Sequence, residues 1–357
     1  MADRVVVIAD SRFPISEPFA GGMQSLTWNL VRGLRSRGVE VTVFAGPGSD
    51  PALDARLLDV APLRLTDTAR QDVAMQPEHW MRQHHAYLQL MLELARSCDV
   101  DVVHNNSLHH LPVAMADALP MPMVTTLHTP PTPWMEPAVA LSDRSSQHFV
   151  AVSRHTSLAW RETIAPVPRV IPNGIDVAQW PEGPGGEDLV WSGRIAPEKA
   201  PHLAVAVARA TGRRLRLAGP VSDPAYWVEV VRPLLGPAVD YVGHLHQRDL
   251  ADLLGRSALC LVTPTWDEPY GLVAAEALAC GTPVLGFERG GLPEVVSSDS
   301  ARLTRDWTVE GLVRLLPETE RLDRRAARRH AERHCSIDSM LDAYLRVYDD
   351  VRGLRAA

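Results

Sequence analysis

The sequence predicts an α/β protein of two doubly wound domains facing each other across a cleft. Three observations carry this. Short apolar runs alternate with amphipathic helical patterns along the whole chain, as βαβ units with right-handed crossovers require. The alternation pauses once, in PNGIDVAQWPEGPGGED (172–188), a Pro- and Gly-rich stretch without periodicity that reads as an interdomain linker. A chain of 357 residues, 46% of them hydrophobic, is also too long for one ordinary core.

In the first half, VVVIA (5–9) is a buried strand. An amphipathic helix from Met23 to Arg37 follows, stopped by Gly38 in the manner of a C′ glycine. VEVTVFAG (39–46), VDVVH (100–104), PMVTTLH (122–128) and FVAVS (149–153) continue the series. Each is a near-continuous apolar run, typical of a parallel sheet covered on both faces. After the linker come LVWSG (189–193), RLRLAG (214–219), VDYVG (239–243), ALCLVT (258–263) and PVLGF (283–287). From Thr308 on the chain reads as helical. RLDRRAARRHAERH (321–334) is a basic helix expected to present a solvated face. In doubly wound sheets ligands bind beyond the carboxyl ends of the strands. Two facing domains therefore place two sets of strand-end loops around one cleft.

Composition narrows the function. A net charge of −7 argues against a nucleic-acid binder. The four cysteines fit neither a zinc ribbon nor a redox pair and read as free thiols in a reducing cytoplasm. No signal peptide opens the sequence, and no apolar run reaches the ~18 residues of a membrane span. Peripheral contact with a membrane surface stays open. The chain has 35 arginines and a single lysine, Lys199. Where Arg serves almost every cationic role, the one Lys asks for a reason.

Three segments carry candidate chemistry. In AGGMQSLTWNL (20–30), Gly21 and Gly22 sit at the turn into the first helix, where backbone N–H groups can approach an anion. SGRIAPEKAPHL (192–203) runs from a strand end into a helix and brings Arg194 and Lys199 together. Two cations there suit a pyrophosphate, and a compact ammonium reaches a phosphate oxygen as a point charge. TWDEPYGLVAAEALACGTPV (265–284) places Glu268 on a loop and Glu276 in the helix after it. The first carboxylate suits sugar hydroxyls and the second suits the two ribose hydroxyls of a nucleotide. Gly271 and Leu272 offer N–H groups at that helix's N-terminus.

With these residues in view, the chain resembles glycosyltransferase family 4. EPYGLVAAE is similar to the EX7E element of retaining GT-B glycosyltransferases. Seven further pieces stand in family order with it: GGMQ, the strand ending in His128, FVAVSRHT, VIPNGID, SGRIAPEK, YVGHL and GGLPEVV. The resemblance implies a GT-B fold with two Rossmann-like domains. One spans 1–172, completed by a C-terminal helix near 337–355 that crosses back; the other, for the nucleotide sugar, spans 173–336. It implies that Arg194 and Lys199 hold the donor diphosphate and that Glu276 holds the ribose. Glu268 positions the transferred sugar. Gly243, His244 and Leu245 meet the base, Tyr270, Gly271 and Leu272 complete the donor site, and Gly22 lies under the diphosphate from the other domain. His128 approaches the reacting centre; its alternative is a buried strand-end histidine without a role in the reaction. The implied reaction is transfer from a UDP- or GDP-type sugar to a small hydroxylated acceptor, with retention of configuration. No cofactor and no metal is expected, and the nucleotide sugar is a co-substrate.

Other readings remain at this stage. A sugar-nucleotide epimerase of related fold would turn over donor alone, and a non-catalytic sugar-nucleotide sensor would bind donor without transfer. Asp99-Val-Asp101 has the form of a metal-binding DxD but stands at the start of a strand, away from the cleft. His84–His85 and His104, His109 and His110 have no spacing that brings a third ligand into view. Trp134, in TPPTPWMEP (129–137), reads either as a stacking surface for the acceptor or as a core anchor, and the segment 54–82, with Trp80, is another candidate wall. Neither names the acceptor, nor does the sequence give the oligomeric state.

Overall fold

The computed structural model describes residues 4–142 and 147–356. It contains two parallel sheets. The first is built from β1 (Arg4–Ile8), β2 (Glu40–Ala45), β3 (Arg56–Leu57), β4 (Val102–Asn105), β5 (Met123–Leu127), β6 (Gln147–Ala151) and β7 (Arg169–Val170), in the order β3-β2-β1-β4-β5-β6-β7. The second holds β8 (Leu189–Ser192), β9 (Leu215–Ala218), β10 (Val239–Gly243), β11 (Leu259–Val262), β12 (Val284–Phe287) and β13 (Ala301–Thr304), in the order β10-β9-β8-β11-β12-β13. In each sheet the order reverses beside the strand that comes first in the chain, β1 or β8, which puts a switch-point crevice beyond that strand's carboxyl end. β3, β7 and β13 are absent from the sequence reading. Two of them have only two residues, and ARLT of β13 has too little apolar content to register as a buried run.

Alternation along β1 shows how the first sheet is covered. Val5 and Val7 pack with Leu26, Leu30 and Leu34 of the helix Gly22–Ser36, whereas Val6 and Ile8 pack with Tyr87, Leu90 and Leu94 of the helix Glu78–Leu94. The helix Ile337–Ala356 joins the first of these layers through Met340, Leu341, Tyr344, Val347, Tyr348 and Val351. A buried polar chain fixes its register. His104 on β4 bonds the Tyr348 hydroxyl at 2.5 Å and Thr126 Oγ1 at 2.8 Å, and Thr126 meets the Tyr344 hydroxyl at 2.9 Å. Burial pushes His104 down to about 3, so the imidazole is neutral and offers one donor and one acceptor to these two partners.

The chain passes twice between the sheets, and the two passes lie side by side. Ile175 N–H donates to the Cys335 carbonyl at 2.8 Å and Ile337 N–H donates to the Ile175 carbonyl at 2.9 Å. Gly174 permits this approach, since a Cβ there would stand 2.5 Å from the Ile337 Cα.

The basic helix differs from its expected role. Over Arg324–His334, only part of the surface is solvated. Arg324 turns inward and donates to the carbonyls of Gly255 and Ser257 and to Thr282 Oγ1. Arg328 donates to the carbonyls of Ala279 and Trp180. Gly255 and Ala279 end the helices Gln247–Gly255 and Leu272–Ala279, so the guanidiniums satisfy carbonyls that helix termini leave open. A run of arginines looks alike in sequence whether it faces water or a neighbouring helix end. Arg325, Arg329 and Arg333 do face solvent. Among the described residues no helix is long and apolar enough to cross a membrane.

Candidate active site

Between the sheets lies a cleft of about 520 Å³, within the range of small-molecule sites. Two helix N-termini meet across it. Gly21 caps the helix Gly22–Ser36 and Gly271, at φ 104°, caps the helix Leu272–Ala279. A Cβ on Gly22 would stand 2.7 Å from Leu272 Cδ1, so glycine is what lets the two ends approach so closely. Each end carries unsatisfied N–H groups and the positive pole of its helix. Arg194 adjoins them: its Cδ lies 3.9 Å from where a Gly21 Cβ would be.

The basic residues follow β8. Arg194 pairs with Glu198 at 2.9 Å. Lys199 Nζ sits 2.5 Å from Glu268 Oε2 and 5.0 Å from the centre of the Trp266 ring, and Trp266 Nε1 donates to the same Glu268 oxygen at 3.2 Å. Ala200, at φ 48°, turns the chain directly into the helix Pro201–Thr211 and thereby leaves Lys199 at the strand-end rim. Glu268 lies on the loop before the helix Leu272–Ala279, and Glu276 lies within it, one turn in and facing the cleft.

Burial raises the Glu276 carboxyl from 4.5 to about 7. Its folded state therefore holds the proton more tightly than the unfolded chain does. The stability this contributes is complete below pH 4.5 and is lost as pH rises through about 7, where a buried charge opposes folding. Glu276→Gln, neutral throughout, is expected to melt a few degrees above wild type at pH 8 and to lose that pH dependence. Melting curves of the ligand-free protein at pH 5 and pH 8 check this.

His128 follows β5 on the opposite wall. It donates Nε2–H to Asn106 Oδ1 at 2.8 Å, which leaves Nδ1 unprotonated. Burial lowers His128 to about 4, partly offset by the Asp10 charge, so the ring is neutral at physiological pH. Asp10 follows β1, is buried, and accepts from Arg12 Nε at 3.0 Å; Arg12 itself lines the cleft.

Of the residues expected at the site, His128, Arg194, Lys199, Glu268, Gly21, Gly22, His244, Leu245, Tyr270, Gly271, Leu272 and Glu276 all line this cleft. Gly243 does not. It ends β10 behind the wall, where its carbonyl accepts from Gly219 N–H at 2.9 Å and its φ of 89° swings His244 and Leu245 forward. The Tyr270 ring is only 4% exposed, and it packs in the core of the second domain. His244 Nε2 donates to the Phe19 carbonyl at 2.9 Å, and Glu17 accepts from Gln247 N–H at 3.1 Å, so the loop before Gly21 bridges both domains.

Sequence reasoning missed Asp10, Arg12, Asn106 and Asn173. Asn106 Nδ2 and Asn173 Oδ1 are buried without a partner, and Asn173 faces the cleft. A signal existed for three of them: each is a polar residue ending a buried run or standing next to one, at VVVIAD, VVHNN and VIPNG. Asp99 and Asp101 lie at the other end of the sheet. Asp99 pairs with Arg4 at 3.4 Å and Asp101 accepts from Arg4 N–H at 2.9 Å. Among the described residues no three His, Cys, Asp or Glu side chains group as metal ligands would.

Comparison with known proteins agrees with this geometry. The family model described as Glycosyltransferase Family 4 matches residues 20–179, and that described as Glycosyl transferases group 1 matches residues 175–328. Glycogen synthase of Mycobacterium tuberculosis (strain ATCC 25618 / H37Rv) is 30% identical over 322 residues, covering 77% of this chain and 76% of its own. D-inositol 3-phosphate glycosyltransferase of Kineococcus radiotolerans is 29% identical, covering 88% and 84%. Among solved structures, AviGT4, a glycosyltransferase involved in avilamycin A biosynthesis, is 25% identical with a TM-score of 0.70 over 99% of this chain and 98% of its own. Anabaena HepE shares the fold at 17% identity, with a TM-score of 0.75 over 98% of this chain and 100% of its own. The two domains with switch-point crevices facing one cleft, the two family matches that together span 20–328, and a relative alike over three quarters of the chain identify this protein as a GT-B glycosyltransferase of family 4.

Proposed function

We propose that this protein transfers a hexose-type sugar from a UDP- or GDP-type donor to a hydroxyl of a small acceptor, with retention of anomeric configuration and without a metal ion or other cofactor. The observation that carries the reading is the convergence of Arg194, Lys199 and two glycine-led helix N-termini in one cleft. Such a cluster matches the charge of a leaving diphosphate. In the ligand-free protein Lys199 and Arg194 are held by Glu268 and Glu198, and the donor's phosphates compete for them. Glu268, once released, accepts from hydroxyls of the sugar, and Glu276 accepts from the ribose. Catalysis then rests on electrostatic stabilisation of the departing diphosphate and on positioning. The leaving phosphate helps to take the acceptor's proton in a front-face attack. Neutral His128 supports the sugar at the reacting centre.

The relatives' names support a glycosyltransferase and leave the acceptor wide, with glycogen in one name and D-inositol 3-phosphate in another, and Anabaena HepE was solved in complex with UDP and glucose. A cytoplasmic location belongs to the same reading and fits four unpaired cysteines.

Thermal-shift binding against UDP, GDP, ADP and their hexose conjugates is the direct test. A shift with one base names the donor, and Glu276→Gln is expected to weaken it by about tenfold, the scale of a hydrogen bond to a charged group. No shift with any of them overturns the reading, and turnover of a sugar nucleotide without acceptor points instead to an epimerase. Transfer activity is expected to persist in excess EDTA; loss reversed by Mn²⁺ sinks the metal-free mechanism.

A further inference from the structure

Beside the cleft, on the β1–β7 domain, the fold gathers aromatic and imidazole rings from three separate segments. Trp80 and His84 come from the helix Glu78–Leu94 and its N-terminal turn, His109 and His110 from the start of the short helix His110–Ala114 that follows β4, and Trp134 from the proline-rich loop after β5. Their contacts are continuous. Trp80 stacks on His84 at 5.1 Å and 12°, His84 lies 5.8 Å from His110, and His110 stacks on Trp134 at 5.0 Å and 24°. The Trp80 and Trp134 rings stand 6.3 Å apart at 44° and form an open corner. Beneath it, His109 stacks on the buried Tyr87 ring at 4.2 Å. The cluster adjoins the donor cleft, because Leu108 and Thr129, which line the cleft, lie on the segments after β4 and β5 that carry His109, His110 and Trp134.

We infer that this corner is an acceptor subsite for a pyranose ring, so that the acceptor is a sugar or glycoside; the inference rests on the glycosyltransferase reading above.

Four properties argue for a sugar. Trp134 is 58% exposed although His110 stacks on one of its faces, so much of the indole is presented to solvent. The negative face of an aromatic ring attracts polarised C–H groups such as those on one side of a pyranose chair. Two indoles meeting at 44° offer an apolar surface to the C–H face of a chair while its hydroxylated edge turns toward the imidazoles. The imidazoles are uncharged at neutral pH: burial lowers His84 and His110 and takes His109 to about 3. They supply hydroxyl-binding donors and acceptors without a cation for phosphate or carboxylate. The guanidinium beside His109, Arg12, is paired with Asp10, and Arg82 on the helix that carries His84 is held by Asp59. Finally, His84 Nδ1 is buried without a hydrogen-bond partner, a deficit that a polar ligand would relieve.

The test is saturation-transfer NMR on the full chain with a saturating nucleoside diphosphate. The probes are the methyl pyranosides of glucose, galactose, mannose and N-acetylglucosamine, with 4-nitrophenol as a planar comparison. At least one pyranoside is expected to receive saturation on its ring C–H protons. Trp134→Ala is expected to weaken that binding at least tenfold, with Trp134→Phe retaining most of it. Nucleoside diphosphate thermal shifts should stay unchanged in both variants, which also verifies that they fold. Unchanged pyranoside binding in Trp134→Ala, binding of 4-nitrophenol alone, or no pyranoside signal while the nucleotide binds overturns the subsite and leaves the glycosyltransferase reading standing. Loss of nucleotide binding in the wild type instead overturns that reading.

Discussion

Lys199→Ala is expected to lower kcat by on the order of 100-fold or more, the usual loss when a preorganised charge on a leaving oxyanion is removed. The size follows from its surroundings. Lys199 is 21% exposed and lies between Glu268 and the face of Trp266, a setting that shields the ammonium and strengthens its field on a phosphate. Removing it also frees Glu268, which then stands uncompensated in the cleft and repels the diphosphate. Both effects act on the same step, so the loss should exceed that of an isolated surface charge. Lys199→Arg separates charge from shape: a planar guanidinium restores the charge without the same reach, and only partial recovery is expected. Steady-state kinetics with saturating acceptor reads both variants. A kcat within threefold of wild type in Lys199→Ala removes the residue from the reaction.

The second large effect is expected at a position that carries no charge of its own. Gly290 has φ 60°, and a Cβ there would stand 2.2 Å from the Glu268 carbonyl oxygen and 2.4 Å from its amide nitrogen. Gly291 continues the same strap, donating its N–H to that carbonyl at 2.6 Å. Gly290→Ala therefore strains its own backbone by ~1–2 kcal/mol and must push the Glu268 loop away from Lys199. Destabilisation of several kcal/mol is expected, with a melting temperature lower by about 10 °C, together with a large fall in kcat. Gly38→Ala is the control. Its φ of 81° imposes the same backbone strain, but nothing lies within 4 Å of the added methyl, so it should lose stability alone. Equal effects in the two variants would mean that the strap does not position Glu268.

The strap also shows where the sequence was legible. The strands that carry the sheets read as apolar runs because burial on both faces leaves no polar position to confuse the pattern. Lys199 stood out by being unique, and Glu268 and Glu276 by their place around a helix start. GGLPEVV could be recognised as a motif, yet its reason is a contact between residues 22 apart that no local pattern encodes. The same holds for Asn106 and His128, which meet only because β4 and β5 are neighbours. Trp80 and Trp134 each read as a possible wall, and only folding shows that they are one wall. Arg324 and Arg328 misled because charge alone does not reveal which arginine caps a neighbouring helix.

The helix Ile337–Ala356 supplies Met340, Leu341, Tyr344, Tyr348 and Val351 to the interior that Val5 and Leu30 begin. During synthesis the β1–β7 domain emerges first and yet is finished last. Its sheet must wait, with one apolar layer covered only in part and His104 without its tyrosine, while the residues from 173 to 336 are made. At about 5–20 residues per second that interval is on the order of ten seconds or more. The second domain, whose sheet draws on no residue before Leu189, has no such wait. A nascent chain stalled before residue 337 should therefore expose its amino-terminal half to protease while protecting the half made later.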